Sequence, residues 1–194
     1  MKKDPFLRRF KYAPLFAYLN QFNIYLETMR RFVRYTLPLL IWMGFIFTMS
    51  GDSGSAEHTR PLMHSILRRL APSLAAQLTP AQVDRIDFNI RKTSHVLEYL
   101  LLALLAYRAA RSGSPHFRSR HVLLPLVLGI GFAASDEWHQ SFVPSRWGVA
   151  ADVLYDSFGV TLGTLLSQWG EQLQQEKQGR LALQESEPAG SKSA

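Results

Sequence analysis

Y-T-L-P-L-L-I-W-M-G-F-I-F-T-M-S-G, residues 35–51, contains no charged side chain. With Phe32 before it and Arg34 able to snorkel, the stretch nears the ~20 residues that carry a helix across a bilayer. Three further apolar stretches follow: 93–110 around L-E-Y-L-L-L-A-L-L-A-Y, 121–138 around V-L-L-P-L-V-L-G-I-G-F-A-A, and 149–169 around F-G-V-T-L-G-T-L-L. Their uncharged cores run to about 9–14 residues, a length that also suits the buried helices of a soluble bundle.

The polar interruptions separate the two readings. In four helices running up and down, the end of the first, the start of the second, the end of the third and the start of the fourth share one face. Those ends carry Asp52, then Lys92, His95 and Glu98, then Asp136, Glu137 and His139, then Asp152 and Asp156. A soluble bundle has no reason to gather its ionisable groups at one end of every helix, whereas a membrane protein with a polar site near one interface does. The sequence therefore predicts an all-α fold, an integral-membrane four-helix bundle over residues 35–169, with an N-terminal amphipathic interfacial helix in 1–34 and a polar cytoplasmic tail in 170–194 that should fray.

Composition narrows the class further. The 194 residues suit one domain, and 47% apolar with 19% charged residues excludes a charged disordered chain. Absence of Cys excludes a disulfide scaffold and any thiolate metal site. Mean hydropathy is only −0.05, but the average hides segregation, because the charges sit in blocks between apolar stretches. The net charge of +7 is spread over those blocks, so no nucleic-acid partner is expected; the partners expected are membrane lipids. Lys and Arg divide 15 to 7 between the two sides of the four-helix arrangement, which places both termini in the cytoplasm and the polar face outward. No signal peptide is visible.

Within 1–34, Leu15, Leu19, Phe22, Leu26, Met29 and Val33 recur at alternating spacings of four and three, one face of a helix. That face would lie on the cytoplasmic membrane surface or pack on the bundle. Between the first two spans, Leu62 to Leu70 has the spacing of a short amphipathic helix, and Thr79-Pro80-Ala81-Gln82 is a capping-box start for the second long helix.

Arg91, His95 and Glu98 lie on one helical stripe, with Lys92 and Tyr99 adjoining. A Glu in an apolar run must be paired, protonated or wet, so Glu98 is either an acid/base group or half of an ion pair with Arg91 or His95. Asp136, His139 and Gln140 share a stripe in D-E-W-H-Q, where Asp136 and Glu137 with His139 could bind a divalent cation, hold His139 in a reactive tautomer, or form a structural network. Asp152, Asp156, Gly159 and Gly163 fall on another face and combine two carboxylates with a G-x-x-x-G packing seam. Ser53, in S-G-D-S-G-S, invites comparison with a nucleophile elbow but is one residue short of it and follows a helix instead of a strand, so it reads as a turn or helix C-cap lining the site, where its expected part is contact with substrate. The set comprises five carboxylates against the cations Arg91, Lys92 and Arg146. Protonation, a charged histidine or a divalent metal such as Zn²⁺ or Mn²⁺ would close that gap. No spacing matches a recognised metal motif, and no other cofactor is expected.

Four segments together, M-S-G-D-S-G-S (49–55), R-K-T-S-H-V-L-E-Y (91–99), S-D-E-W-H-Q-S-F-V-P-S-R (135–146) and D-V-L-Y-D-S-F-G (152–159), resemble the VanZ-like family of bacterial membrane proteins. The resemblance implies four transmembrane helices in the bacterial cytoplasmic membrane and a role at the cell envelope, linked in some members to glycopeptide or lipoglycopeptide resistance. Carried over, the family pattern falls on Lys92, His95, Glu98, Asp136, Glu137, His139, Gln140, Arg146 and Asp152. It departs at Asp156, where members commonly carry Asn. Two functions are open: a membrane enzyme or carrier for an anionic lipid-linked cell-wall precursor, with Lys92 and Arg146 on phosphate and His95 or His139 moving protons, or a non-catalytic envelope factor whose polar cluster is structural. Reporter fusions at Ser112 and Ser191 are expected to read cytoplasm and one at Ser73 exterior; the reverse pattern would invert the face that holds the site.

Overall fold

Proline at position 38 has no N–H, so the carbonyl four residues earlier loses its helical donor. The helix absorbs this as a π turn. The computed structural model describes residues 5–52, 55–112, 119–144 and 150–186. In it, α1 (Pro5–Arg31) continues through the π-helical turn Phe32–Thr36 into α2 (Leu37–Met49), and the Leu37 N–H donates five residues back to the Phe32 carbonyl. Then come α3 (Ala56–Leu70), α4 (Pro72–Gln77), α5 (Pro80–Arg111), α6 (Arg120–Gln140) and α7 (Asp152–Ser186); there is no strand among the described residues.

The start of α5 is locally encoded. Thr79 Oγ1 accepts the Gln82 N–H, the Gln82 side chain accepts the Thr79 N–H at 2.8 Å, and Pro80 occupies the first turn. Together these satisfy donors that a helix start leaves open.

Helices α5, α6 and α7 pack on one another and α2 leans on α5. Their shared core is Leu39, Ile46, Tyr99, Leu102, Ala103, Ala106, Ala133 and Val160. The closest approach is between α5 and α7, at Gly159 and Gly163. A Cβ on Gly159 would collide with the Val96 carbonyl, and one on Gly163 would collide with that of Leu100 and stand 3.0 Å from Ala103 Cβ. The two helices run parallel, Lys92 beside Asp152 at one end and Tyr107 and Arg111 beside Glu171 at the other. The Tyr107 hydroxyl donates to Glu171 at 2.6 Å, and Arg111 bonds the other carboxylate oxygen at 2.5 Å.

Three expectations meet the structure here. From Ala17 to Arg34 every residue but Leu26 is exposed, so of the two placements expected for this helix the structure shows no packing on the bundle, and α1 runs through the π turn into α2 without a break in the helix. Residues 170–186 are helical and continue α7, because Gln, Glu, Lys, Leu and Ala favour helix in that stretch; Gln175 also bonds Glu171 one turn back at 3.1 Å. Among the described residues one helix, Ala17–Met49, is long and apolar enough to cross a membrane. In α5, α6 and α7 the apolar runs are broken by ionisable groups that the bundle buries, among them Asp87, Asp136, Glu137 and Asp156.

Gly159→Ala is expected to destabilise the fold by about 1–3 kcal/mol through overpacking against the α5 backbone. Gly170→Ala, with nothing within 4 Å of its Cβ, is expected to be neutral or to gain up to about 1 kcal/mol of helix propensity. Tryptophan-monitored unfolding in detergent compares the two.

Candidate functional site

The parallel register of α5 and α7 lines up two polar rungs one helical turn apart. Lys92 Nζ bonds Asp152 Oδ1, and His95 Nδ1 lies 3.1 Å from Asp156 Oδ1. The spacing of 92 to 95 on α5 and of 152 to 156 on α7 is what lets both pairs meet along a single helical seam. Below them the seam continues into the glycine contact, where the helices touch. The Lys92 ammonium also sits 5.2 Å from the ring centroids of both Phe88 and Tyr155, an arrangement that favours a cation.

The end of α6 supplies a second group. Asp136 Oδ2 accepts the Ser50 hydroxyl at 2.7 Å and the Gln140 amide at 3.0 Å. Ser50 follows α2, so this bond ties the first helix to the third. Glu137 is buried beside it, and the His139 ring lies tilted against Phe47 with centroids 4.2 Å apart. Tyr99 is wholly buried, and Asp136, Asp156, Glu137 and Glu98 are its electrostatic neighbours. Among the described residues the Tyr99 hydroxyl, Asp136 Oδ1, Asp156 Oδ2 and His139 Nδ1 have no hydrogen-bond partner. Buried groups in that state are satisfied by internal water or a ligand.

Lys92, His95, Asp152 and Asp156 are therefore joined in one seam, and Asp136 with Gln140 in an adjacent network. Glu98 is half-buried and an electrostatic neighbour of His95, and its backbone carbonyl accepts the Trp42 indole N–H at 2.9 Å. Arg91 pairs with the buried Asp87 at 3.2 Å, one turn back. That pairing commits one of the three cations counted from the sequence to a carboxylate outside the set. Ser53 and Arg146 lie outside the described residues. Sequence reasoning left out Ser50, Asp87 and Tyr99 as site residues. Tyr99 had a legible signal, one turn beyond His95 on the stripe of Lys92, but an aromatic in an apolar run reads first as core.

No group of three or more His, Asp or Glu side chains able to hold a metal occurs among the described residues, because the carboxylates meet separate partners. What the arrangement can do is hold an anion at Lys92 and move a proton at His95. With Nδ1–H donated to Asp156, Nε2 is the nitrogen left to take a proton.

An open cleft of about 600 Å³ runs between α5 and α7 beside this seam, lined by Thr93, Val96, Ala151, Leu154, Tyr155 and Phe158 with Lys92 among them. The wall is mostly apolar.

His95→Ala is expected to cost about 1–3 kcal/mol, since it strands the buried Asp156 carboxylate. Asp156→Asn, which keeps an acceptor for His95, is expected to stay within about 1 kcal/mol of the parent, and thermal unfolding of the two variants decides between them.

The model of the family described as VanZ/LLP1 matches residues 35–170. No curated protein and no solved structure matches the chain.

Proposed function

The chain belongs to the VanZ/LLP1 family, and from that premise we propose that it is a multi-pass protein of the bacterial cytoplasmic membrane that holds the anionic head group of a lipid-linked or peptidoglycan-related molecule at the outer face. The distribution of side chains supports the membrane part. Leu97, Val127, Leu154, Phe158 and Leu165 are 56–72% exposed, while Asp136, Glu137 and Asp156 are at most 6% exposed. Soluble proteins do the reverse; helices that face lipid and keep their charges inside the bundle do this. The 15 to 7 division of basic residues supports an outward polar end.

The observation that carries the ligand reading is the α5–α7 cleft. An apolar wall leads to Lys92, so a molecule with a hydrocarbon chain and a phosphate would find a complement for each part. Lys92 has three N–H donors, of which Asp152 takes one. Arg146 follows α6 in the sequence and is the second cation assigned to the head group. His95, oriented by Asp156, handles a proton if the bound group reacts. Resistance to glycopeptides, linked to some VanZ-like proteins, is consistent with a ligand drawn from cell-wall assembly.

A second reading makes the polar cluster a structural lock, and the closed Ser50–Asp136–Gln140 network favours it at the α6 end. Native mass spectrometry of protein extracted in mild detergent separates the two. The double variant Lys92→Gln/Asp152→Asn, which leaves no stranded charge, is expected to lower retention of phosphate-bearing lipid about tenfold or more, the worth of a charged hydrogen bond. Unchanged lipid retention together with a lowered unfolding temperature would establish the lock and overturn the binding reading.

A further inference from the structure

The helix from Ala17 to Met49 has 33 residues, so it is ~50 Å long against a hydrocarbon core of ~30 Å. Only part of it can cross a bilayer. Arg30, Arg31 and Arg34 stand near its middle and select the charge-free half that begins at Tyr35. The half before them is outside the family-matched region and presents a surface with nothing packed on it. Tyr18, Leu19, Phe22, Tyr25, Met29 and Phe32 are 42–67% exposed. At 100° per residue these six fall in one sector of roughly 140°, while Asn20, Asn23, Glu27 and the three arginines cluster in the opposite sector, with Ile24 at its border.

Charge names the occupant of that face. Residues 1–34 hold eight Lys and Arg against two acids, Asp4 and Glu27. An amphipathic helix with a basic polar side is complementary to an anionic lipid surface. The join is built to bend: the Phe32–Thr36 turn lacks the ordinary hydrogen-bond ladder, Pro38 removes a donor beside it, and π turns are places where helices kink.

We propose that α1 folds over at the Phe32–Thr36 turn and lies on the anionic surface of the cytoplasmic leaflet. Its apolar sector enters the acyl boundary, and Arg30, Arg31 and Arg34 meet lipid phosphates. The collinear form leaves that sector in water; the bent form buries it. The inference rests on the membrane reading for α2 alone and not on the ligand assigned to the cleft.

The Cys-free chain permits a direct test with the full-length protein in nanodiscs of phosphatidylglycerol and phosphatidylcholine, or of phosphatidylcholine only. Spin labels at single substitutions Phe22→Cys, Asn23→Cys and Phe45→Cys are read for accessibility to oxygen and to an aqueous nickel chelate. In the anionic discs the labels at positions 22 and 45 are expected in the lipid phase and that at 23 in water. Replacing Arg30, Arg31 and Arg34 by Gln is expected to lower the docked-to-free ratio about fivefold per arginine, roughly 100-fold in all, from a contribution of about 1 kcal/mol per basic residue near such a surface. Equal aqueous access at positions 22 and 23 with position 45 in lipid would overturn the proposal and leave the membrane reading standing. An aqueous position 45 would overturn both. Dipolar broadening at position 22 that vanishes on dilution with unlabelled protein would make a second copy the occupant and also overturn it.

Discussion

The contact between Gly159 and the Val96 carbonyl, repeated one turn on by Gly163 and Leu100, positions the rest of the bundle. Side chains normally hold parallel helices 8–10 Å apart, and here two missing Cβ atoms let backbones touch. Because that contact fixes the rotation and height of α7 against α5, Asp152 must fall beside Lys92, and Asp156 beside His95. A charged rung inside a bundle is tolerable only when its partner arrives without searching. The small residues supply that preorganisation, and the glycine seam and the polar seam are consecutive parts of one interface.

The same geometry explains why charge accumulates unevenly. Lys92 is matched by Asp152 and Arg91 by Asp87, so both leave their surroundings near neutrality. Deeper in, Asp136, Glu137 and Asp156 crowd around Tyr99, with His95 and hydroxyl or amide donors as partners. Two environments result within a few turns of helix: an aromatic-walled cation at the cleft, suited to an anion, and a carboxylate-rich interior that water, protons or hydrogen bonds must satisfy.

Local features were legible in the sequence and long-range ones were not. The capping box of α5 is written in four consecutive residues, and the amphipathic spacing of α3 in nine. The nearness of Lys92 and His95 to Asp152 and Asp156 needed only the alternation of helix direction. By contrast, nothing in residues 87–98 says that Arg91 pairs with Asp87, one turn back, and that Asp87 is buried; tertiary packing decides the burial. The union of α1 with α2 depends on how the chain resolves the missing Pro38 donor: a new helix start and a π turn are both compatible with that sequence. The tail was misread because its polarity suggested disorder, whereas its Gln, Glu, Lys, Leu and Ala content favours helix regardless of burial.

At the far end of the α5–α7 pair, Glu171 takes hydrogen bonds from both Tyr107 and Arg111. With ionic rungs at both ends and backbone contact between them, these two helices form a stiff rail with few internal degrees of freedom. Helix α2 is attached differently, through the Trp42 indole on the Glu98 carbonyl and through Ser50 on Asp136. Local opening begins where an element has the least buried contact. Helix α2 is therefore the member of this bundle that opens first, and the Ser50–Asp136 hydrogen bond is its latch.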